Sequence, residues 1–275
     1  ALNRDRIYTS HDEDRTHLKL DTTRRFGQGD LSLRFGPIWQ RIKLSDLEGG
    51  VLPSTLLDSS PDTTFIGLNM RLAWSQLDNR SMPRDGIFTY AELTYFGGPF
   101  GGDQDLLKLE GRFEQYFELG ESVSEVDPVL LIEAGVGIAA PLGRSEETHY
   151  SERWFLGGTQ RLRGFDFRGV GPNEGGIALG GESMAYGSVE MRWPLFSTPI
   201  PGTSRKAEMF RGGPFVDFGV LDPNAWDFDM DELRVSYGLS FAMVRPIPIS
   251  FNLGWPLLEG EGDSLEVFSF SLSLR

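Results

Sequence analysis

Three arginines, Arg161, Arg163 and Arg168, stand inside the run Arg153-Trp154-Phe155-Leu156-Gly157-Gly158-Thr159-Gln160-Arg161-Leu162-Arg163-Gly164-Phe165-Asp166-Phe167-Arg168-Gly169. In an ordinary solvated loop Trp154, Phe155, Phe165 and Phe167 would face water with nothing gained. The glycines at 157, 158, 164 and 169 break both helical and strand periods. The run is therefore expected to dock, without regular structure, in a cavity. Guanidinium groups taken out of water are tolerated where carboxylates meet them. The scaffold to look for has an enclosed, acidic interior.

Other chemistry is thinly represented. The chain has no cysteine, which excludes a disulfide framework, thiol catalysis and thiolate metal sites. Its three histidines, His11, His17 and His149, fall on polar loops and a strand edge, where a surface role is the expected one. His11-Asp12-Glu13-Asp14 reads as a solvated charge run rather than a cation site. Gly157-Gly158 and Gly164 lack the spacing and strand-to-helix context of a phosphate loop. No catalytic, cofactor or metal site is expected, and the chain is not read as an enzyme. A formal net charge of −14 argues against nucleic acid as a partner, because its phosphates would be repelled. No apolar run reaches the roughly 18 residues a membrane helix needs, and Ala1 to Arg6 contain no signal-peptide core.

The elements that must position the arginines are strands. Period-two alternation recurs through Leu18–Thr22, Leu31–Leu44 (where Pro37 suggests a bulge that shifts the phase), Ile66–Trp74, Ile87–Phe96, Leu107–Phe117 and Leu130–Ile138. After a long insertion at 141–181 it resumes through Ser188–Trp193, Gly213–Val220, Leu233–Met243, Ile249–Trp255 and Val267–Leu274. That makes about eleven strands, with a twelfth conceivable in residues 1–12. No helical pattern competes. A long loop is expected at 45–64 and a tight polar turn at 78–86.

A soluble sandwich also alternates, but its strands are short, about five or six residues. Here they run to about ten, the length that crosses a bilayer at a tilt. One face carries Leu, Val and Phe, with Trp74, Tyr95, Trp193 and Trp255 near strand ends. The other carries charge, Gly and Ser. A lipid-facing band, aromatic girdles and a polar lumen describe a transmembrane antiparallel β-barrel, closed because an open edge in lipid leaves backbone groups unpaired. By phase the lumen receives Arg71, Glu92, Lys108, Glu110, Arg112, Glu114, Glu133, Glu190, Arg192, Asp217 and Arg234. Glu190 and Asp217 lie on the two strands after the insertion. If the insertion folds into the lumen, the Arg163 fork can bridge both carboxylates. The plain alternative is that both only line a solvated pore.

Leu162-Arg163-Gly164-Phe165, preceded by Phe155-Leu156-Gly157-Gly158 and followed by Gly171-Pro172, resembles the lumen-loop signature of the BamA/TamA-type outer-membrane assembly superfamily. Gly180-Gly181-Glu182-Ser183 with Gly187–Leu195, and Gly213-Pro214-Phe215-Val216-Asp217-Phe218-Gly219, are similar to that family's strand motifs after the loop. Asp78-Asn79-Arg80 with Pro83, Arg84 and Gly86 resembles its strand-turn motif. The resemblance spans roughly residues 62–275. It implies a loop anchor made of Arg163, Gly164, Phe165, Glu190 and Asp217, with residues 1–275 as the C-terminal part of a sixteen-strand barrel in the bacterial outer membrane. It also implies five strands after the loop. The implied function is insertion of outer-membrane proteins, or translocation of polypeptides, through lateral opening of a seam. Implied partners are outer-membrane lipid, unfolded outer-membrane protein clients, periplasmic POTRA domains and accessory proteins. The alternative is a passive anchor or secretion pore for a fused N-terminal domain.

Overall fold

The computed structural model describes residues 12–45, 58–59, 62–120, 126–174, 176–203, 206–245 and 247–272. The expected loop at 45–64 and a twelfth strand in 1–12 fall largely outside these residues, as does His11, whereas Asp12, Glu13 and Asp14 of the charge run lie on the first strand. The strands are β1 (Asp12–Lys19), β2 (Thr22–Phe26), β3 (Leu31–Ser45), β4 (Thr63–Leu77), β5 (Gly86–Phe96), β6 (Leu106–Glu118) and β7 (Val129–Pro141). Within the insertion come the two-residue pieces β8 (Gly164–Phe165), β9 (Asn173–Glu174) and β10 (Ile177–Ala178). Then follow β11 (Ser183–Pro199), β12 (Lys206–Asp222), β13 (Arg234–Met243), β14 (Ile249–Leu258), β15 (Leu265–Glu266) and β16 (Phe268–Ser271).

One antiparallel wall takes them in the order β1-β3-β4-β5-β6-β7-β11-β12-β13-β14-β16, with β2 continuing β1 along the same side of β3. Successive wall strands pair with one another, most through short turns, while β3–β4 and β7–β11 are bridged by long connections. Among the described residues five wall strands, β11, β12, β13, β14 and β16, follow the insertion. From β3 to β14 the wall strands have 10 to 17 residues. The longest, β11 and β12, exceed what a tilted crossing needs and run past β7 and β13 at the end away from the insertion, where Pro199 meets Lys206.

The pleat sorts the side chains. Leu72, Trp74, Phe113, Val136, Trp193, Val216, Phe218, Leu239 and Phe251 point outward and stay exposed. Tyr237 and Trp255 pair on the outside, ring centroids 6.0 Å apart, towards the end where the insertion lies. Trp74 and Trp193 mark the other end. At the insertion end the rule reverses: Ile42, Leu44, Phe65, Phe96 and Leu106 turn inward and are buried, while Arg41 and Lys43 face out. An outer surface that becomes charged there is one that has left lipid.

Pro37 does not shift the phase. Pairing of β3 with β4 keeps one register from Leu31↔Trp74 to Ile42↔Thr63. The interruption falls on the neighbouring strand instead, at Leu20 and Asp21, opposite Pro37 and Gly36. Proline offers no N–H to that side, so only the bond from Leu20 N to Pro37 O (3.2 Å) remains. The backbone of Leu20 crowds Gly36 so closely that a Cβ there would collide with its carbonyl oxygen.

The described wall is open. β1 and β16 both run away from the insertion end, so they would meet in parallel, whereas an antiparallel cylinder closed neighbour to neighbour has an even strand number. β16 is held by four residue pairs, against eleven between β4 and β5.

Candidate functional site

The connection from β7 to β11, residues 142–182, folds back between the wall strands. A two-residue ladder joins Phe165 to Leu265 and Gly164 to Glu266, pairing β8 with β15. Isolated bridges Trp154↔Gly181, Leu156↔Val170 and Gly158↔Leu162 fasten the rest. Trp154, Leu156, Leu162, Phe165 and Val170 then pack with the inward collar of Ile42, Leu44, Phe65, Phe96 and Leu106 in one buried apolar cluster. The insertion is thus packed against the inner face of the described wall at this end. Below the tip lies a cavity of about 440 Å³ lined by Arg34, Glu114, Arg192 and Arg211 among others.

Arg163 is 2 % exposed. Its Nε and Nη2 donate to Asp217 Oδ2 and Oδ1, both at 2.8 Å, in a two-point fork. Nη1 donates to Glu190 Oε2 at 2.9 Å, and Nη2 also donates to Ser188 Oγ at 3.1 Å. The backbone N–H of Arg163 adds a bond to Asp217 Oδ2 at 3.0 Å. The guanidinium lies 3.5 Å from the Phe215 ring centroid. All four partners come from β11 and β12, which pair directly with Ser188↔Asp217 and Glu190↔Phe215. Period two places these residues on the lumenal face, and the register puts them side by side.

Gly164 makes the approach possible. Its φ is +91°, open to glycine at little cost, and a Cβ there would stand 3.1 Å from the Gly254 carbonyl carbon and 3.3 Å from Ser236 Cβ. Phe165 is buried beside it.

Three participants carry no signal that period-two reading would single out. Ser188 donates to Asp217 Oδ1 at 2.6 Å, Ser240 donates to Glu190 Oε1 at 2.7 Å, and Phe215 supplies the ring. Arg192 completes the cluster by donating to Glu190 Oε1 at 3.2 Å. Each is lumenal by phase, but neutral or unremarkable by type.

Two expectations for the loop need correcting. Phe167 is 72 % exposed and does not dock. Nor do carboxylates meet all three arginines among the described residues. Arg161 donates to the Phe155 carbonyl (3.0 Å) and Met184 Sδ (3.7 Å) and sits near Trp154 and Tyr186. Arg168, at φ +57°, lies 4.0 Å from the Phe155 ring centroid. Aromatic faces there do part of what carboxylates do for Arg163.

His149 is also corrected, from a surface position to a buried one, 3 % exposed. Its Nδ1 caps the 3-10 turn Tyr150–Glu152 by accepting from Ser151 N, and its ring meets Phe65 edge to face at 5.6 Å. His17 is exposed. Burial pushes the His149 imidazole below its ordinary value of 6.5, with Glu152 and Glu13 opposing the shift and Arg15 adding to it. Above that ordinary value native and unfolded chains both hold it neutral. As the pH falls through it, the unfolded chain takes up a proton the native loop resists, so stability is full above and lost as the pH falls through the depressed native value. Cleavage of the loop by protease is expected to be faster at pH 5.5 than at 7.5, and His149→Phe should flatten that dependence.

Comparison with known proteins follows the same lines. A profile of the Omp85 superfamily domain matches residues 2–275. The chain is 27 % identical over 210 residues to an "Outer membrane protein assembly factor BamA" from Nitratidesulfovibrio vulgaris, covering 75 % of this chain and 25 % of that protein. It is 33 % identical over 195 residues to "Sorting and assembly machinery component 50 homolog A" of Xenopus laevis, covering 67 % of this chain and 40 % of that one. The crystal structure of BamA from Haemophilus ducreyi lacking POTRA domains 1–3 superposes with a TM-score of 0.76 at 21 % identity, covering 94 % of this chain and 54 % of that chain. The chain therefore spans between a quarter and about half the length of these relatives.

Proposed function

The chain belongs to the Omp85 superfamily, and from that premise we propose that it inserts β-barrel proteins into the bacterial outer membrane, or passes polypeptides across it, by opening a seam in its own wall. It is an outer-membrane β-barrel protein. We take residues 12–272 as the C-terminal part of a larger cylinder whose further strands pair with the free edge of β1, and residues 142–182 as an extracellular loop seated in the lumen. The loop anchor is Arg163, with Gly164 and Phe165 on the loop and Glu190 and Asp217 on the wall.

The observation that carries this reading is the combination of a loop packed onto the inner face of the wall with a weakly held edge. The apolar cluster seats the loop against the described strands at the insertion end, which favours a plugged barrel over a passive pore. Among the described residues β16 pairs with β14 alone, over four residue pairs, so its other side is a sheet edge on which an incoming strand can template. The lumenal faces of β13, β14 and β16 carry Ser236, Gly238, Ser240, Ser250, Asn252, Gly254 and Ser269, small groups that brace the edge little. No bond-making chemistry is required, since a strand entering lipid gains by pairing its backbone. Clients are unfolded outer-membrane proteins, with periplasmic domains and accessory proteins delivering them, and the protein is not an enzyme.

Residues 1–275 hold no cysteine, and any cysteine elsewhere in the intact protein is replaced for the test. With Ser271→Cys in the intact protein and single cysteines along the last strand of an arriving client, disulfide adducts are expected in one register. No adduct at Ser271→Cys, or adducts spread over every client position without a preferred register, would overturn seam templating.

A further inference from the structure

The insertion is held at a second place, and there the charges are reversed. Glu152 ends the 3-10 turn Tyr150–Glu152 and is 4 % exposed. Its Oε1 accepts from Gln40 Nε2 at 2.6 Å and lies 3.3 Å from Arg15 Nη1. Its Oε2 accepts from Lys108 Nζ at 2.9 Å. Arg15 also donates to the neighbouring Ser151 carbonyl at 2.9 Å, and Lys108 Nζ stands 4.6 Å from the Trp154 ring centroid. A carboxylate this deeply buried needs such partners, because desolvation without them disfavours its charge. Burial alone would raise the Glu152 carboxyl; Lys108 and Arg15 outweigh it and hold it below its ordinary value.

The partners are drawn from one side of the wall. Arg15, Gln40 and Lys108 lie on β1, β3 and β6, all before the insertion, whereas the Arg163 clamp uses β11 and β12, both after it. The two sites lie at opposite ends of the docked run, the root at 152 and the tip at 163. One is an anion of the loop among cations and an amide of the wall; the other is a cation of the loop among carboxylates of the wall. Sliding the loop by one anchor would bring like charges together, so the pair also fixes its register.

We infer that Glu152 is a second anchor of opposite sign, which ties the loop root to the N-terminal side of the wall and makes the loop a strut across the lumen between the two sides. This rests on the proposed reading of 142–182 as a lumenal brace. A strut fastened at both ends limits how far the two sides move apart when the edge at β16 opens.

The test uses the intact protein in membranes and an arginine-specific protease, reading cleavage after Arg153 at the root separately from cleavage after Arg161 near the tip. The Arg153 side chain is 8 % exposed, so cleavage there reports opening of the root. Glu152→Gln keeps the shape and loses the charge. Losing a charge-assisted bond set is expected to raise root cleavage by about tenfold to a hundredfold, with tip cleavage changed by less than about threefold. Glu152→Lys should do the same or more, and Glu152→Lys with Lys108→Glu should bring root cleavage back towards the parent rate. Unchanged root cleavage in Glu152→Gln, equal acceleration at both sites, or a swap that restores nothing would each overturn the second anchor. Client assembly is measured in parallel. Root cleavage that responds as expected while assembly stays at the parent rate would uphold the strut and count against the proposed function alone.

Discussion

Replacing Arg163 by alanine is expected to free the loop from the lumen and lower the midpoint of heat-modifiable migration, with loss of client assembly. The substitution removes four side-chain hydrogen bonds, two to Asp217, one to Glu190 and one to Ser188. The two carboxylates do not suffer equally. Glu190 keeps Arg192 and Ser240, while Asp217, 0 % exposed, keeps Ser188 and the backbone N–H of residue 163 but loses the guanidinium fork. Breaking a buried ion pair from one side costs about 3–5 kcal/mol, because the remaining charge stays desolvated. Asp217→Asn added to Arg163→Ala should therefore recover part of the loss. Arg163→Lys should fall between parent and alanine, since an ammonium keeps the charge but cannot fork across two residues. Parent-like migration, loop protection and assembly in Arg163→Ala would remove the anchor role. Failure of Asp217→Asn to recover anything would show that the cost lies outside the ion pair.

Gly164→Val is expected to be as damaging, for a reason unconnected with charge. A β-branched residue at φ +91° carries a backbone penalty of roughly 1–3 kcal/mol. The added atoms also press on the Gly254 backbone, 3.1 Å from a Cβ, and overpacking of that kind costs about 1–3 kcal/mol more. The guanidinium would be lifted from Asp217 even though every charged partner remains. Thermal migration and protease resistance of the loop should drop together, and Gly164→Ala should show a smaller form of the same defect. If Gly164→Val kept a protected loop, close backbone contact between the tip and β14 would not be what seats it.

Much of the architecture was legible because period two is a local property. A residue's phase along a strand fixes which face it occupies, so Glu190, Asp217 and the other lumenal charges could be placed without knowing what lay opposite. Pro37 shows where local reading fails. Its missing N–H could have been absorbed by a bulge in its own strand or by a break in the neighbour, and only the partner strand decided between them. The same holds for His149 and Phe167, whose polar and aromatic types suggested the reverse of their actual exposure.

Strands, their two faces, the acidic interior and the arginine able to enter it can be read from the residues alone, because each follows from residue type and spacing within about ten positions. The landing of the tip, Arg163 on Asp217 across 54 positions, could be expected from phase and resemblance, whereas the landing of the root came from the fold, Glu152 meeting Gln40 at a separation of 112. Contacts over such distances are selected by register across several strands and by the shape of the collar that receives the loop. Neutral Ser188, Ser240 and Phe215 join the cluster only because the register of β11 to β13 brings them within reach.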